Sequence, residues 1–131
     1  MYVLFAVPNM VSLTTNQVTR TVTSNRPSLR VTWSAPSSGR PITSYMIQYR
    51  SGTSGSWTER TSTGNTKILQ SLQLGTMYQV RVRAVSDLGN GAWSNIVSKT
   101  TFNGKFISDY YGYISTHIYT CLATEVIQSI L

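Results

Sequence analysis

The residues that could support catalysis are few and lie far apart in the sequence. His117 is the only histidine and Cys121 the only cysteine. No Ser/His/Asp or Cys/His set can therefore be assembled inside the first hundred residues, and no His/Cys cluster has the spacing of a metal site. The carboxylates are Glu59, Asp87, Asp109 and Glu125. Since an acid–base pair of carboxylates is also not expected from these four, we predict no catalytic activity, no metal and no cofactor.

The arginines offer a different chemistry, namely the binding of anions. The chain has a net charge of +7, and residues 7–103 contain ten basic side chains against two acidic ones. The basic side chains of this region are Arg20, Arg26, Arg30, Arg40, Arg50, Arg60, Lys67, Arg81, Arg83 and Lys99. Such an excess favours polyanionic partners, a class that includes sulfated glycans, anionic membrane surfaces and nucleic acid.

Alternating apolar and polar residues indicate the strands that must hold these arginines in place. The alternation is clearest at 29–33, 45–50 and 78–84, where β-branched and aromatic residues fill the apolar positions. Gly- and Pro-rich turns separate the runs at 35–41, 51–55 and 88–91. We predict seven strands, at about 9–15, 28–34, 43–50, 56–60, 66–71, 77–86 and 94–101. Short strands at this spacing are typical of an antiparallel sandwich or barrel.

The length of 131 residues allows one such domain with extra residues at both ends. We assign 1–6 to an N-terminal extension, 7–102 to the domain and 103–131 to a tail. The tail is interpreted as part of an adjoining segment or a non-native end; the alternative is a weak amphipathic helix. The least polar window, 113–131, contains His117 and Glu125, so no membrane span is expected.

Four motifs follow one another along the predicted strands and loops. Leu29–Trp33 has the form Leu-x-Val-x-Trp and is followed by Pro36, and Tyr45–Arg50 has the form Tyr-x-Ile-x-Tyr-Arg. Leu72–Tyr78 leads into alternating Val, Val and Ala, and Gly89–Ser94 matches the last loop. In this order the motifs resemble those of the fibronectin type III family. The resemblance covers residues 7–102, and the chain departs from the family at Leu74, where Pro is usual. It implies an all-β, immunoglobulin-like sandwich of seven antiparallel strands, in one domain of a larger multidomain protein.

The resemblance also implies which residues form the hydrophobic core and which residue forms the tyrosine corner. Trp33 is expected at the centre of the core, and Tyr78 is expected to be the tyrosine-corner residue, whose hydroxyl bonds the backbone of the preceding turn. The expected core residues are Leu29, Val31, Trp33, Tyr45, Ile47, Leu72, Tyr78, Val80 and Val82.

A cluster of arginines is expected on one exposed face. Because Val80, Val82, Ile47 and Tyr49 face inward, the residues next to them face outward, and in the family the two strands are adjacent. Arg50, Arg81 and Arg83 would then lie together as a site for a sulfated glycosaminoglycan or an acidic protein surface; the alternative is a solvated charged face that prevents misassembly.

Two tryptophans have competing interpretations. Trp93 and Ser94 resemble the first half of the tryptophan–serine box of cytokine receptor domains, whose second half is absent here. Trp93 is expected to stack between Arg81 and Arg83 and belongs to the candidate binding face. Trp57 is interpreted as a packing residue on an edge strand, with a ligand anchor as the alternative.

The resemblance implies a non-catalytic structural, adhesion or protein–protein interaction module of a cell-surface or extracellular protein, such as a receptor ectodomain. The expected partners are other proteins or neighbouring domains, with sulfated glycosaminoglycan as a further partner and nucleic acid not expected. Two alternatives stay open. One is an intracellular scaffold domain of the giant muscle type, and the other is a receptor ligand-binding module that uses the arginine face.

Overall fold

A computed structural model describes residues 7–23, 26–37 and 41–103 of the chain. The extension at 1–6 and the tail from residue 104 onward, with its predicted helix, lie outside the described residues. The described part folds as two antiparallel β-sheets that enclose one hydrophobic core. The predicted all-β sandwich is therefore confirmed.

Eight strands and one short 3₁₀ helix, at Thr15–Gln17, form within the described ranges. The strands are β1 Val18–Thr23, β2 Arg26–Thr32, β3 Ser44–Ser51, β4 Thr58–Ser62, β5 Thr66–Leu69, β6 Met77–Ser86, β7 Gly89–Asn90 and β8 Val97–Thr100. One sheet has the order β1-β2-β5. The other has the order β4-β3-β6, and both β7 and β8 pair with β6.

The predicted strand at 9–15 is wrong, although its alternation correctly marks a buried segment. Val11 and Leu13 are almost fully buried. The N–H of Leu13 donates to the side-chain oxygen of Asn95, and the amide nitrogen of Asn95 donates to the carbonyl of Leu13. The backbone of Leu13 therefore bonds to a side chain, whereas the backbone of a strand residue would bond to the backbone of a neighbouring strand. The described residues instead form the unpredicted β1, and β7 is too short to produce a period-two pattern.

The core is centred between the two sheets, and all nine expected core side chains are buried in it. Trp33 is 3% exposed and meets Tyr45 edge-on, with 5.3 Å between ring centroids. The structure adds six hydrophobic residues to the buried cluster: Val11, Leu13, Val18, Leu69, Ala84 and Val97. Two of these come from the segment before β1, so that segment belongs to the packed unit.

A tyrosine corner forms at the start of β6, as the resemblance implies. The hydroxyl of Tyr78 accepts a hydrogen bond of 3.0 Å from the N–H of Gln73. Leu74, which stands where the family usually has Pro, is exposed. The corner therefore forms without the proline, because the tyrosine hydroxyl bonds the backbone of Gln73 and the N–H of Gly75 donates to the carbonyl of Phe102.

Replacing Tyr78 with phenylalanine is expected to lower the free energy of unfolding by about 1 kcal/mol, since one partly buried hydrogen bond is lost without loss of ring packing. Urea denaturation measures this difference. Tyr49→Phe is the matched control, because Tyr49 also packs against the core and its hydroxyl makes no hydrogen bond within the described residues. If the two variants lost the same free energy of unfolding, the hydrogen bond of the tyrosine corner would make no contribution to stability.

Candidate functional site

The candidate site lies on the outer face of the larger sheet, where β3 and β6 run side by side. The register pairs Arg50 with Gln79, Gln48 with Arg81, and Met46 with Arg83. Ile47, Val80 and Val82, which alternate with them, are fully buried. Because strand neighbours point to opposite faces, each cross-strand pair presents one arginine and one uncharged side chain on the outside.

Hydrogen bonds to amide groups hold two of these guanidinium groups. Nε and Nη2 of Arg50 both donate to Oε1 of Gln79, at 3.0 and 2.8 Å. Nε and Nη2 of Arg81 donate in the same way to Oε1 of Gln48, at 3.0 and 2.8 Å. These amide oxygens fix the orientation of the guanidinium planes while leaving the positive charges on the surface.

Two tryptophans stack between the arginines. The Cζ atoms of Arg50 and Arg81 each lie 4.3 Å from the ring centroid of Trp57. Cζ of Arg81 lies 4.6 Å, and Cζ of Arg83 lies 4.2 Å, from the ring of Trp93. The series Arg50, Trp57, Arg81, Trp93, Arg83 alternates cations with aromatic rings, and we call these five residues the ladder.

Trp57 is the ladder member that sequence reasoning did not place on the binding face. The register pairs Thr58 with Tyr49 and Glu59 with Gln48, so the residue before Thr58 lies beside Arg50. The side chain of Glu59 is on the outer face, where Oε2 accepts a hydrogen bond from Gln48. Trp57 is two residues before Glu59, and residues two apart in a strand point to the same face of the sheet. Knowledge of the β3–β4 register would therefore have placed Trp57 on the outer face.

Trp93 owes its position to the serine that follows it. The N–H of Ser94 donates to the carbonyl of Val82 at 2.8 Å, and the hydroxyl of Ser94 accepts from the N–H of Val82 at 3.0 Å. Val82 lies between Arg81 and Arg83, and its own side chain points inward. Anchoring Ser94 at this point places the preceding tryptophan over the two arginines, as the sequence predicts.

Arg83 is the least satisfied cation of the ladder. Its Nη2 contacts the sulfur of Met46 at 3.0 Å, and sulfur is a weak acceptor. Its Nε is buried and has no hydrogen-bond partner among the described residues. A buried donor without an acceptor costs free energy, so Arg83 is poorly compensated where it stands.

The three positive charges are crowded together. Burial lowers the pKa of Arg81 from its ordinary value, and the nearby charges of Arg50 and Arg83 lower that pKa further. A guanidinium group still remains charged at neutral pH. The ladder is therefore a strip of like charges whose mutual repulsion an anionic partner would relieve.

The arrangement is suited to binding an anionic partner. Guanidinium groups offer paired N–H donors to carboxylate, sulfate or phosphate, and the indole rings offer flat apolar surface. Within residues 7–23, 26–37 and 41–103, no three His, Cys, Asp or Glu residues come together as a metal site would require. None of the helices that these ranges form has the length and apolarity needed to cross a bilayer.

Comparison with known proteins finds relatives in sequence and in fold. Over 76 residues the chain is 37% identical to the sortilin-related receptor of Oryctolagus cuniculus. That match covers 57% of the chain but only 3% of the receptor's length.

Two solved structures share the fold at 25% identity. The sixth fibronectin type III domain of human fibronectin type III domain containing protein 3 has a TM-score of 0.59, with 74% of this chain and 88% of that chain covered. Domains A168–A170 of titin have a TM-score of 0.61, with 74% and 33% covered. The fibronectin type III family model matches residues 14–100, and the chain therefore belongs to the fibronectin type III family.

Proposed function

We propose that this domain is a non-catalytic interaction module of a multidomain cell-surface or extracellular protein, and that the ladder binds sulfated glycosaminoglycan. Fibronectin type III domains are in general non-catalytic modules of multidomain proteins, and the similarity to a sortilin-related receptor supports a receptor setting. We also propose that the folded unit spans residues 7–102, since Val11 and Leu13 pack in the core although the family match begins at 14.

The observation that supports the ligand class is the fixed spacing of three guanidinium groups on one face. A sulfated polysaccharide has repeated oxyanions, and each can accept paired N–H donors from one arginine. The described residues contain Glu59 and Asp87 as their two carboxylates. Glu59 is at the edge of this face, where it bonds Gln48, so the centre of the ladder keeps its positive charge.

Heparin chromatography tests the proposal. The variant Arg81→Ala/Arg83→Ala should elute at a clearly lower salt concentration than the parent, because two of the three clustered charges are lost. The matched control is Arg26→Ala/Arg30→Ala, which removes two exposed charges from β2 in the other sheet. If both variants eluted at equally lowered salt concentrations, heparin binding would depend on net charge alone, which would contradict a site at the ladder.

A charge-conserving variant separates charge from geometry. Arg81→Lys/Arg83→Lys keeps both cations but loses the planar fork and much of the stacking on Trp93. We expect it to elute between the parent and the alanine variant. Circular dichroism of every variant shows whether a lower elution position comes from unfolding instead.

An intracellular scaffold domain is the second candidate, and the likeness to domains of titin favours it. The full gene product distinguishes the two. A signal peptide with a transmembrane helix would support the cell-surface role. Repeated domains with neither would support the scaffold role.

A further inference from the structure

Two further cations lie at the open side of the sandwich, apart from the ladder. β4 ends one sheet and β5 ends the other. Arg60 on β4 pairs with Ile47, and Lys67 on β5 pairs with Val31. Both partners are fully buried, so Arg60 and Lys67 extend from the inner sides of their sheets. The two side chains therefore approach the same gap from opposite sheets.

The gap is a cleft of about 420 Å³, which we call the mouth. It is lined by Tyr49, Arg60, Lys67, Ile68, Gln70 and Ser71. A second cleft of about 470 Å³ shares Lys67 with the mouth and is otherwise lined by Ser44, Thr61, Ser62 and Thr63. The cationic mouth therefore has a cleft rich in hydroxyl groups as its neighbour.

The cations in the mouth lack acidic partners. Nη1 of Arg60 donates to the backbone carbonyl of Glu59 at 2.8 Å, and its Cζ lies 5.8 Å from the ring of Tyr49. Lys67 makes no ion pair or side-chain hydrogen bond within the described residues. No carboxylate is among the residues that line the mouth. The Glu59 side chain bonds Gln48 on the outer face, and Asp87 lies in the turn between β6 and β7.

We propose that the mouth binds a tetrahedral oxyanion, of which a sulfate group is the best fit, between Arg60 and Lys67. Two like charges that face one gap repel each other, and a doubly charged anion between them turns that repulsion into attraction. Gln70 and Ser71 add an amide and a hydroxyl to the lining as hydrogen-bond donors. The hydroxyl-lined cleft leaves room for the body of a sugar that carries the sulfate as an ester.

NMR titration of the ¹⁵N-labelled protein tests this site. Sodium sulfate is added at constant ionic strength against sodium chloride, and the backbone amides of Lys67 and Ser71 are followed. We expect saturable shifts, and we expect Arg60→Gln/Lys67→Gln to weaken the affinity about tenfold or more, since charge-assisted bonds are lost. The control Arg26→Gln/Arg30→Gln, which removes two charges from β2, should leave the affinity unchanged.

Thermal unfolding gives an independent measurement. Sulfate stabilises many proteins by exclusion from their surface, so the parent and the mouth variant share that effect. Site binding should add a further rise in melting temperature that saturates and that occurs only in the parent. A sulfated disaccharide tested beside free sulfate distinguishes the two sources of the anion, since tighter binding of the disaccharide indicates the ester.

The proposal does not depend on the ladder. Arg81→Ala/Arg83→Ala should retain the sulfate titration whether or not it still binds heparin. Linear shifts without saturation, or equal affinities in the parent and the mouth variant, would overturn the proposal. Either result would leave the two inward cations with the sole role of preventing other strands from pairing with the open edges.

Discussion

Replacing Trp33 with alanine should lower the free energy of unfolding by about 3–5 kcal/mol. The indole is 3% exposed and packs edge-on against Tyr45 at the centre of the core, so its removal leaves a cavity that both sheets line. A domain of this size is stable by only about 5–15 kcal/mol, and the variant would lose a large part of that. Guanidinium chloride unfolding, followed by circular dichroism, measures the loss.

Trp57→Ala is the control for that measurement, because it removes the same side chain from the outer face of the same domain. Trp57 is half-buried among arginines and contributes mainly cation–π contacts, each worth about 0.5–1 kcal/mol at exposed sites. We expect a clearly smaller loss than for Trp33→Ala. Similar midpoints for the parent and Trp33→Ala would disprove the core assignment.

Gly91→Ala should destabilise the domain by about 1–3 kcal/mol, although it adds only one methyl group. Gly91 is buried, its N–H donates to the carbonyl of Ala84 at 2.9 Å, and an added Cβ would collide with the carbonyl oxygen of Pro8. That atom belongs to the backbone and cannot rotate away. The strain should therefore displace the segment before β1, which contributes Val11 and Leu13 to the core.

The location of the destabilisation in Gly91→Ala can be measured as well as its magnitude. Amide hydrogen exchange at Leu13, whose N–H donates to Asn95, should speed up in Gly91→Ala more than exchange in β3. Gly64→Ala is the matched control, since its Cβ would meet no atom within 4 Å and its φ is not in the left-handed region. Unchanged exchange at Leu13 would show that this segment does not depend on the close approach of Pro8.

Period-two alternation was sufficient to predict the central part of the fold. Every second residue is buried in β2 and β6, and in β3 the same alternation buries Tyr45 and Ile47 and leaves Tyr49 half-buried. The pattern therefore located both the core around Trp33 and the outward arginines. Adjacency of β3 and β6 came from the family resemblance. Together these two arguments brought Arg50, Arg81 and Arg83 to one face, with Trp93 over the last two.

The parts that sequence reasoning missed depend on register and on contacts between distant residues. Trp57 joins the ladder because of the register in which β4 pairs with β3. In a short polar strand such as β4, the hydrophobic pattern is too weak for the sequence to predict that register. The bonds between Leu13 and Asn95 join residues 82 positions apart. The mouth needs Arg60 and Lys67 from different sheets, and no local pattern indicates that they meet.

The location of bound glycan tests the central claim most directly. A short heparin oligosaccharide is titrated into ¹⁵N-labelled protein, and the Nε–H signals of the arginines and the indole N–H signals of Trp57 and Trp93 are followed. If the ladder is the binding face, the signals of Arg50, Arg81, Arg83 and the two indoles shift together and saturate at one ligand concentration. Shifts that spread evenly over all exposed arginines, or that leave both indoles unchanged, would contradict a ladder site.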